Sequence, residues 1–211
     1  MAKNTKYFYS LAVWKKYFYD WVNTVSPQDL IDVSIFYDFR SVYGDPSLTT
    51  DLRSYLNKLL QGKNLFLYHL AQNAIQLKPP IGFFGNILAE TAGEHSEAFN
   101  IKTAIMPIQS FARIYALQNG VVISNTIERL NQLNNMNVLS SSTYETIMEA
   151  YNYLMLMRFK HQSAALSNNK KLHNYISVKE LSDIEQTMLK KIFSQISSFQ
   201  SKLKVDFTGS M

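Results

Sequence analysis

Arg158, Lys160, His161 and Gln162 form the densest group of chemically capable side chains in the sequence. Two cations, an imidazole and a carboxamide so close together could hold a nucleotide phosphate, or a carboxylate on an acidic protein, through charge-assisted hydrogen bonds. Upstream, Tyr144, Ile147, Met148, Tyr151, Leu154 and Met155 recur at the three-and-four spacing that lays side chains along one stripe of an α-helix. Continuing that stripe brings up Arg158, His161 and Gln162, so polar residues stand where the helix turns to the core. Burying a guanidinium without partners is costly, so these groups either line a cleft or join an internal network that fixes helix packing. Spacing alone leaves both readings open.

The other candidates are sparser. From Ile31 to Val42, apolar Ile31, Val33, Ile35, Tyr37 and Phe39 alternate with Asp32, Ser34, Phe36, Asp38 and Arg40, which predicts a strand with Asp38 and Arg40 on its polar face. That pair is either a surface salt bridge or part of a site. His69, His95, His161 and His173 are widely separated and suggest no local metal site, and His95, with only Glu94 and Glu97 nearby, reads as a solvated loop residue. The sequence has no Gly-rich phosphate loop, no HExxH, no G-x-S-x-G and no cysteine, so it shows no self-contained catalytic motif.

The central element is a helix from Ser142 to about Leu166, opened by a capping box of Ser142 and Glu145. Before it, Lys6 to Asn23 predicts an amphipathic helix with a heavily aromatic face, followed by a short helical turn from Pro27 to Leu30. Thr50–Leu60 and Leu65–Leu77 read as a helical hairpin about Gly62. Ile87–Glu90 and Phe99–Ile105 read as two strands joined through Gly93–Ser96. Pro107 suits the first turn of a helix that is apolar nearly all round and therefore central; its one charge, Arg113, is expected to snorkel to solvent, the alternative being a buried network. Asn125 with Glu128 caps a short helix whose Arg129 is expected to face solvent unless a site recruits it. Ser182 and Glu185 have capping-box spacing ahead of a long helix carrying Ile184, Met188, Leu189, Ile192, Phe193, Ile196, Phe199 and Leu203. The fold class is mainly α: a helical bundle with a short N-terminal strand segment and a candidate small β-hairpin.

At 211 residues the chain can bury a core without cysteine staples. No uncharged apolar run approaches the ~20 residues of a membrane span, and the lack of cysteine fits a reducing, cytoplasmic setting. Net charge is +5, but the lysines are scattered without an Arg/aromatic cluster, which makes nucleic acid a minor option.

Ordered blocks across the chain resemble the putative nucleotidyltransferase substrate-binding domain. They are Asp32-Val33-Ser34-Ile35-Phe36-Tyr37-Asp38-Phe39-Arg40 with Val42, Gly44 and Asp45; Pro79-Pro80-Ile81-Gly82-Phe83-Phe84; Asn125-Thr126-Ile127-Glu128-Arg129-Leu130; and Arg158-Phe159-Lys160-His161-Gln162. Asn174 with Ile176, and Leu181-Ser182, complete the series. The resemblance implies the C-terminal module of bacterial proteins similar to the protein-PII uridylyltransferase, which often also carry CBS and cyclic-nucleotide-binding domains. In those proteins a preceding catalytic domain supplies a Gly-Ser turn and an Asp-x-Asp pair for two metal ions. This chain has no Gly-Ser turn followed by such a pair, and two-metal transfer needs those carboxylates.

The resemblance therefore implies residues 1–45 as the tail of a nucleotidyltransferase-like catalytic domain, with Asp38 its third carboxylate, residues 46–206 as the helical substrate-binding domain, and 207–211 as a disordered tail. The chain reads as a fragment or remnant, inactive alone. Arg40, Asn125, Arg129, Arg158, Lys160, His161 and Gln162 are the substrate-binding candidates. No cofactor is expected in this chain; Mg²⁺ and a nucleoside triphosphate belong to the parent protein. Expected partners are the catalytic domain, an acidic protein or nucleotide substrate, and a second copy of the chain. A helical protein-interaction or dimerisation module in a signal-transduction protein is the alternative. A helical RNA-processing domain ranks last, because Arg158 and His161 stand closer than in such nucleases.

Overall fold

The computed structural model describes residues 8–24 and 36–209. Among them are seven α-helices: α1 (Leu11–Thr24), α2 (Ser47–Leu60), α3 (Asn64–Ala74), α4 (Ile101–Gln118), α5 (Thr126–Asn135), α6 (Ser141–Ser167) and α7 (Asp183–Thr208). Two short strands, β1 (Ala98–Asn100) and β2 (Tyr175–Ser177), pair antiparallel with Phe99 opposite Ile176.

The bundle is wound around α4. Eleven of its eighteen residues are buried, and α2, α3, α5, α6 and α7 all pack against it. It starts at Ile101, one turn and a half before the proline expected to open it. Asn100 caps it, its side chain accepting from the Lys102 N–H at 3.0 Å. Pro107 is therefore inside the helix, where it cannot donate to the carbonyl four residues back. Its ring is buried, and the packing around the helix offsets that lost bond.

The same cap explains why the Ile87–Glu90/Phe99–Ile105 hairpin does not form. Ile101, Ala104 and Ile105 have helical spacing and point into the core, so only Ala98–Asn100 remains extended, and it pairs with β2. Glu90 alone of the expected first strand exchanges backbone bonds with Glu97 and Ala98, both at 2.8 Å.

The strand expected over Ile31–Val42 is also absent where it is described. Residues 31–35, like the turn at Pro27–Leu30, lie outside the described residues; Phe36 is helical, and Tyr37 and Asp38 form a turn. The aromatic side chains decide this. Phe36 and Phe39 pack with Phe18 of α1 and Leu52 and Leu56 of α2, while Tyr37 enters the main core. Two-residue alternation would have put Tyr37 and Phe39 on one face. Much of the aromatic stripe of α1 is thus covered within the chain: Phe18 is buried with Leu52 and Leu56 of α2, Val22 joins the main core, and Trp21 stacks on Phe36.

The capping box expected at Ser142 does not open α6: the helix is capped by Ser140, whose hydroxyl accepts from the Thr143 N–H, and Ser142 lies in its first turn. At α7 the expected capping box forms: Ser182 and Glu185 satisfy each other's backbone N–H groups. Ile184 and Met188, expected on the apolar face, are nevertheless exposed. Further along, Gln200 is buried and donates to the carbonyls of Ala74 (3.2 Å) and Leu77 (2.7 Å), which tethers the end of α3 to α7. The helix continues through Thr208 to a left-handed Gly209, so residues 207 and 208 are helical and not tail. Among the described residues, no helix is long and apolar enough to cross a membrane.

Candidate functional site

The end of α6 brings its polar residues to the loop before β2. Arg158 donates through Nε to Asn174 Oδ1 at 3.0 Å, and Gln162 donates to the same oxygen at 3.3 Å. The Asn174 backbone carbonyl accepts from the N–H of Ile101, the first residue of α4. One asparagine thus ties α6, β2 and α4 together. Lys160 pairs with Glu185 at 3.4 Å on the surface. His161 Nε2 lies 3.3 Å from His173 Nδ1. All four residues have partners within the chain: Arg158, His161 and Gln162 are half-buried among Asn174 and His173, and Lys160 is exposed.

Three histidines converge here. The His95 ring stacks on Tyr175 with centroids 3.8 Å apart, and its centroid is 5.1 Å from that of His173. His95 is half-buried because β1–β2 pairing lays its loop against Tyr175, so it is not the solvated loop residue its neighbours suggested. Even so, no group of three or more His, Cys, Asp or Glu residues among those described could hold a metal ion.

Burial lowers the pKa of His161, and the neighbouring His173 lowers it further, against a smaller opposing effect of Glu180. The unfolded imidazole, at about 6.5, therefore takes up its proton first as the pH falls. Stability from this group is present above that pH and is lost on acidification towards the lower folded value. The wild-type melting temperature is expected to fall between pH 7.5 and 5.5 more steeply than that of His161→Gln. Parallel slopes in a differential scanning fluorimetry series would contradict this.

A second network lies at the other end of the bundle. Arg113 on α4 donates through Nη2 to Asp38 Oδ2 at 2.6 Å, and Arg129 on α5 donates to Asp38 Oδ1. Arg129 Nε also donates to the Ile123 carbonyl at 2.6 Å. Arg129 is only 2% exposed, where spacing had suggested a solvent-facing residue, and Arg113 joins the network instead of snorkelling. Both follow from Asp38, which lies far away in the sequence. Burial would raise the Asp38 pKa, but Arg113 and Arg129 together outweigh it and hold the group below the ordinary carboxylate range. Arg53 of α2 donates to the Phe39 carbonyl and stacks over the Phe39 ring at 4.4 Å. The turn around Asp38 is thus held by three arginines.

The network is incompletely satisfied. Arg113 Nε and the Tyr37 hydroxyl are buried without a hydrogen-bond partner among the described residues, an arrangement that costs about 1–3 kcal/mol per group. Burial pushes the Tyr37 phenol far up, only partly countered by the arginines. Of the remaining candidates, Arg40 is exposed and Asn125 caps α5, accepting from the Glu128 N–H at 3.1 Å.

Sequence spacing did not single out the cleft between α3 and α4. It holds about 370 Å³ and is lined by apolar Leu70, Ala74, Leu77, Met106 and Ile114. Its polar lining is Asn73, Lys102, Gln109, Ser110 and Arg113. The available signal was a polar stripe at helical spacing on a helix otherwise buried nearly all round.

The block Pro79-Pro80-Ile81-Gly82-Phe83-Phe84 forms a tight hairpin closed by an Ile81–Ile87 bridge. A Cβ at Gly82 would sit 2.5 Å from Asn86 Oδ1, so a side chain there would have to displace the Asn86 carboxamide. At its tip Phe83 and Phe84 are 97% and 92% exposed. The two rings meet each other edge to face, with centroids 5.2 Å apart.

No curated protein and no solved structure matches the chain. Residues 64–207, from the first residue of α3 into the last turn of α7, match the family described as "Putative nucleotidyltransferase substrate binding domain". That span takes in the α3–α4 cleft, the Phe83–Phe84 hairpin and the Arg158–Asn174 network, and the chain belongs to this family of nucleotidyltransferase substrate-binding domains.

Proposed function

We propose that this chain is the substrate-recognition module of a nucleotidyltransferase resembling the protein-PII uridylyltransferase, and that it transfers no nucleotide by itself. The observation that carries this reading is the Asp38 clamp. Asp38 precedes the matched span, and two arginines from within that span hold it. A segment belonging to the end of a catalytic domain would be fastened to the recognition module in this way. Both Asp38 oxygens accept from guanidinium groups, so its role here is that of an anchor. Mg²⁺ and the nucleoside triphosphate would be held by the catalytic domain, acting in the cytoplasm. The exposed Phe83–Phe84 pair supports a protein as one partner, because aromatic side chains on a rigid turn are typical interface anchors.

The test is titration of the chain with a PII-type signalling protein, followed by incubation of the mixture with labelled UTP and Mg²⁺. Binding that weakens in the Phe83→Ser/Phe84→Ser variant, with no label transferred, is expected. Label on the PII-type protein would contradict the claim of inactivity, and absence of binding would contradict the PII link.

A further inference from the structure

The open face of α4 has a composition unlike the rest of that helix. Lys102, Met106, Gln109, Ser110 and Arg113 fall on one stripe, with the two cations eleven residues apart. Eleven residues make three turns, so Lys102 and Arg113 mark the two ends of a face roughly 16 Å long. Asn73 of α3 and Leu77 just beyond its end form the opposite wall, and the cleft between is about 370 Å³, within the size range of small-molecule sites.

We infer that this cleft binds a nucleoside phosphate. Its lining contains two cations, two carboxamides and a hydroxyl; Asp38, paired with Arg113 at 2.6 Å, offsets one of the cations and leaves Lys102 as the other. An anion is therefore favoured over a cation or a peptide amine. Leu70, Leu77 and Met106 supply apolar surface for a flat ring. The carboxamides of Asn73 and Gln109 each offer both a donor and acceptors, which suits the mixed edge of a nucleobase. Lys102 and Arg113 stand at the ends where a phosphate could reach one while the base occupies the middle.

Arg113 makes the site consequential. It gives Nη2 to Asp38, while its Nε has no hydrogen-bond partner among the described residues. A phosphate at this end shares the guanidinium with Asp38, so occupancy of the cleft bears directly on the clamp that holds the N-terminal segment. The inference deepens the substrate-recognition reading and rests on it for the use of the nucleotide. Titration with a PII-type protein reads a different surface, so either result can fail without the other.

The experiment is calorimetric titration of the full chain with ATP, UTP, AMP and inorganic phosphate, repeated on Lys102→Ala, Ser110→Phe and Arg158→Ala. Nucleotides are expected to bind with dissociation constants between about 10 μM and 1 mM, and phosphate alone more weakly. Lys102→Ala should weaken nucleotide binding about fivefold, a loss of roughly 1 kcal/mol. Ser110→Phe, which fills the cleft, should abolish it, and Arg158→Ala should leave it unchanged. Lys102 is exposed, so its truncation decides the matter even if Ser110→Phe does not fold. No nucleotide binding at millimolar concentration, affinity unchanged in Lys102→Ala, or loss only in Arg158→Ala would overturn the assignment. Phosphate binding as tightly as nucleotide would overturn its nucleoside part.

Discussion

Arg129→Ala is expected to destabilise the protein by about 3 kcal/mol, the low end of the cost of breaking a buried ion pair. Arg129 is almost wholly buried, bonded to Asp38 and to the Ile123 carbonyl. Asp38 is 31% exposed and keeps Arg113, which is why the low end applies. For a domain of this size that corresponds to a melting temperature lower by roughly 6–12 °C. The variant should also respond less to acid. Arg113 and Arg129 depress the folded pKa of Asp38 against the effect of burial. The stability it contributes is present above the unfolded value of about 3.9 and is lost as pH falls through the folded one. Removing Arg129 removes part of that term. Arg129→Lys should recover little, because an ammonium cannot reproduce the fork that spans Asp38 and Ile123. Chemical denaturation is the check, and a loss under about 0.5 kcal/mol, typical of surface substitutions, would contradict a buried role.

Phe193→Ala is expected to cost about 3–5 kcal/mol, the range for deleting a buried aromatic ring. Phe193 of α7 is fully buried and meets Phe99 of β1 edge to face, with centroids 5.7 Å apart. Phe99 pairs with Ile176, two residues after Asn174, so the cavity would loosen the ribbon that joins α6 and α4. Amide hydrogen exchange should show the loss of protection reaching β2. Phe193→Leu, which keeps much of the volume, should cost less. Equal stability of wild type and Phe193→Ala would contradict the placement of β1 in the core.

What was legible in the sequence was local. The Ser182–Glu185 capping box, the Asn125 cap and the stripe of Ile147, Tyr151 and Leu154 depend on residues three or four apart, and the structure places them as spacing predicts. What was not legible depended on distant partners. Arg129 read as solvated because Asp38 lies far away along the chain. The Phe36–Phe39 segment read as a strand because its alternation carried no information about α1 and α2, which its rings pack against. Arg158, His161 and Gln162 stood out as polar residues on an inward stripe, but whether they face a ligand or Asn174 and His173 depended on a loop that periodicity does not position. The cleft did leave a trace, in Lys102, Gln109, Ser110 and Arg113 along one face of an apolar helix.

Amide-resolved NMR of the isotopically labelled chain, titrated with UTP and ATP, tests the central claim most directly. Nucleoside-phosphate binding at the α3–α4 cleft predicts shift changes centred on Asn73, Lys102, Gln109 and Ser110, reaching Arg113 and Asp38 through their ion pair. Changes centred instead on Arg158 to Gln162, with the cleft unmoved, would contradict it.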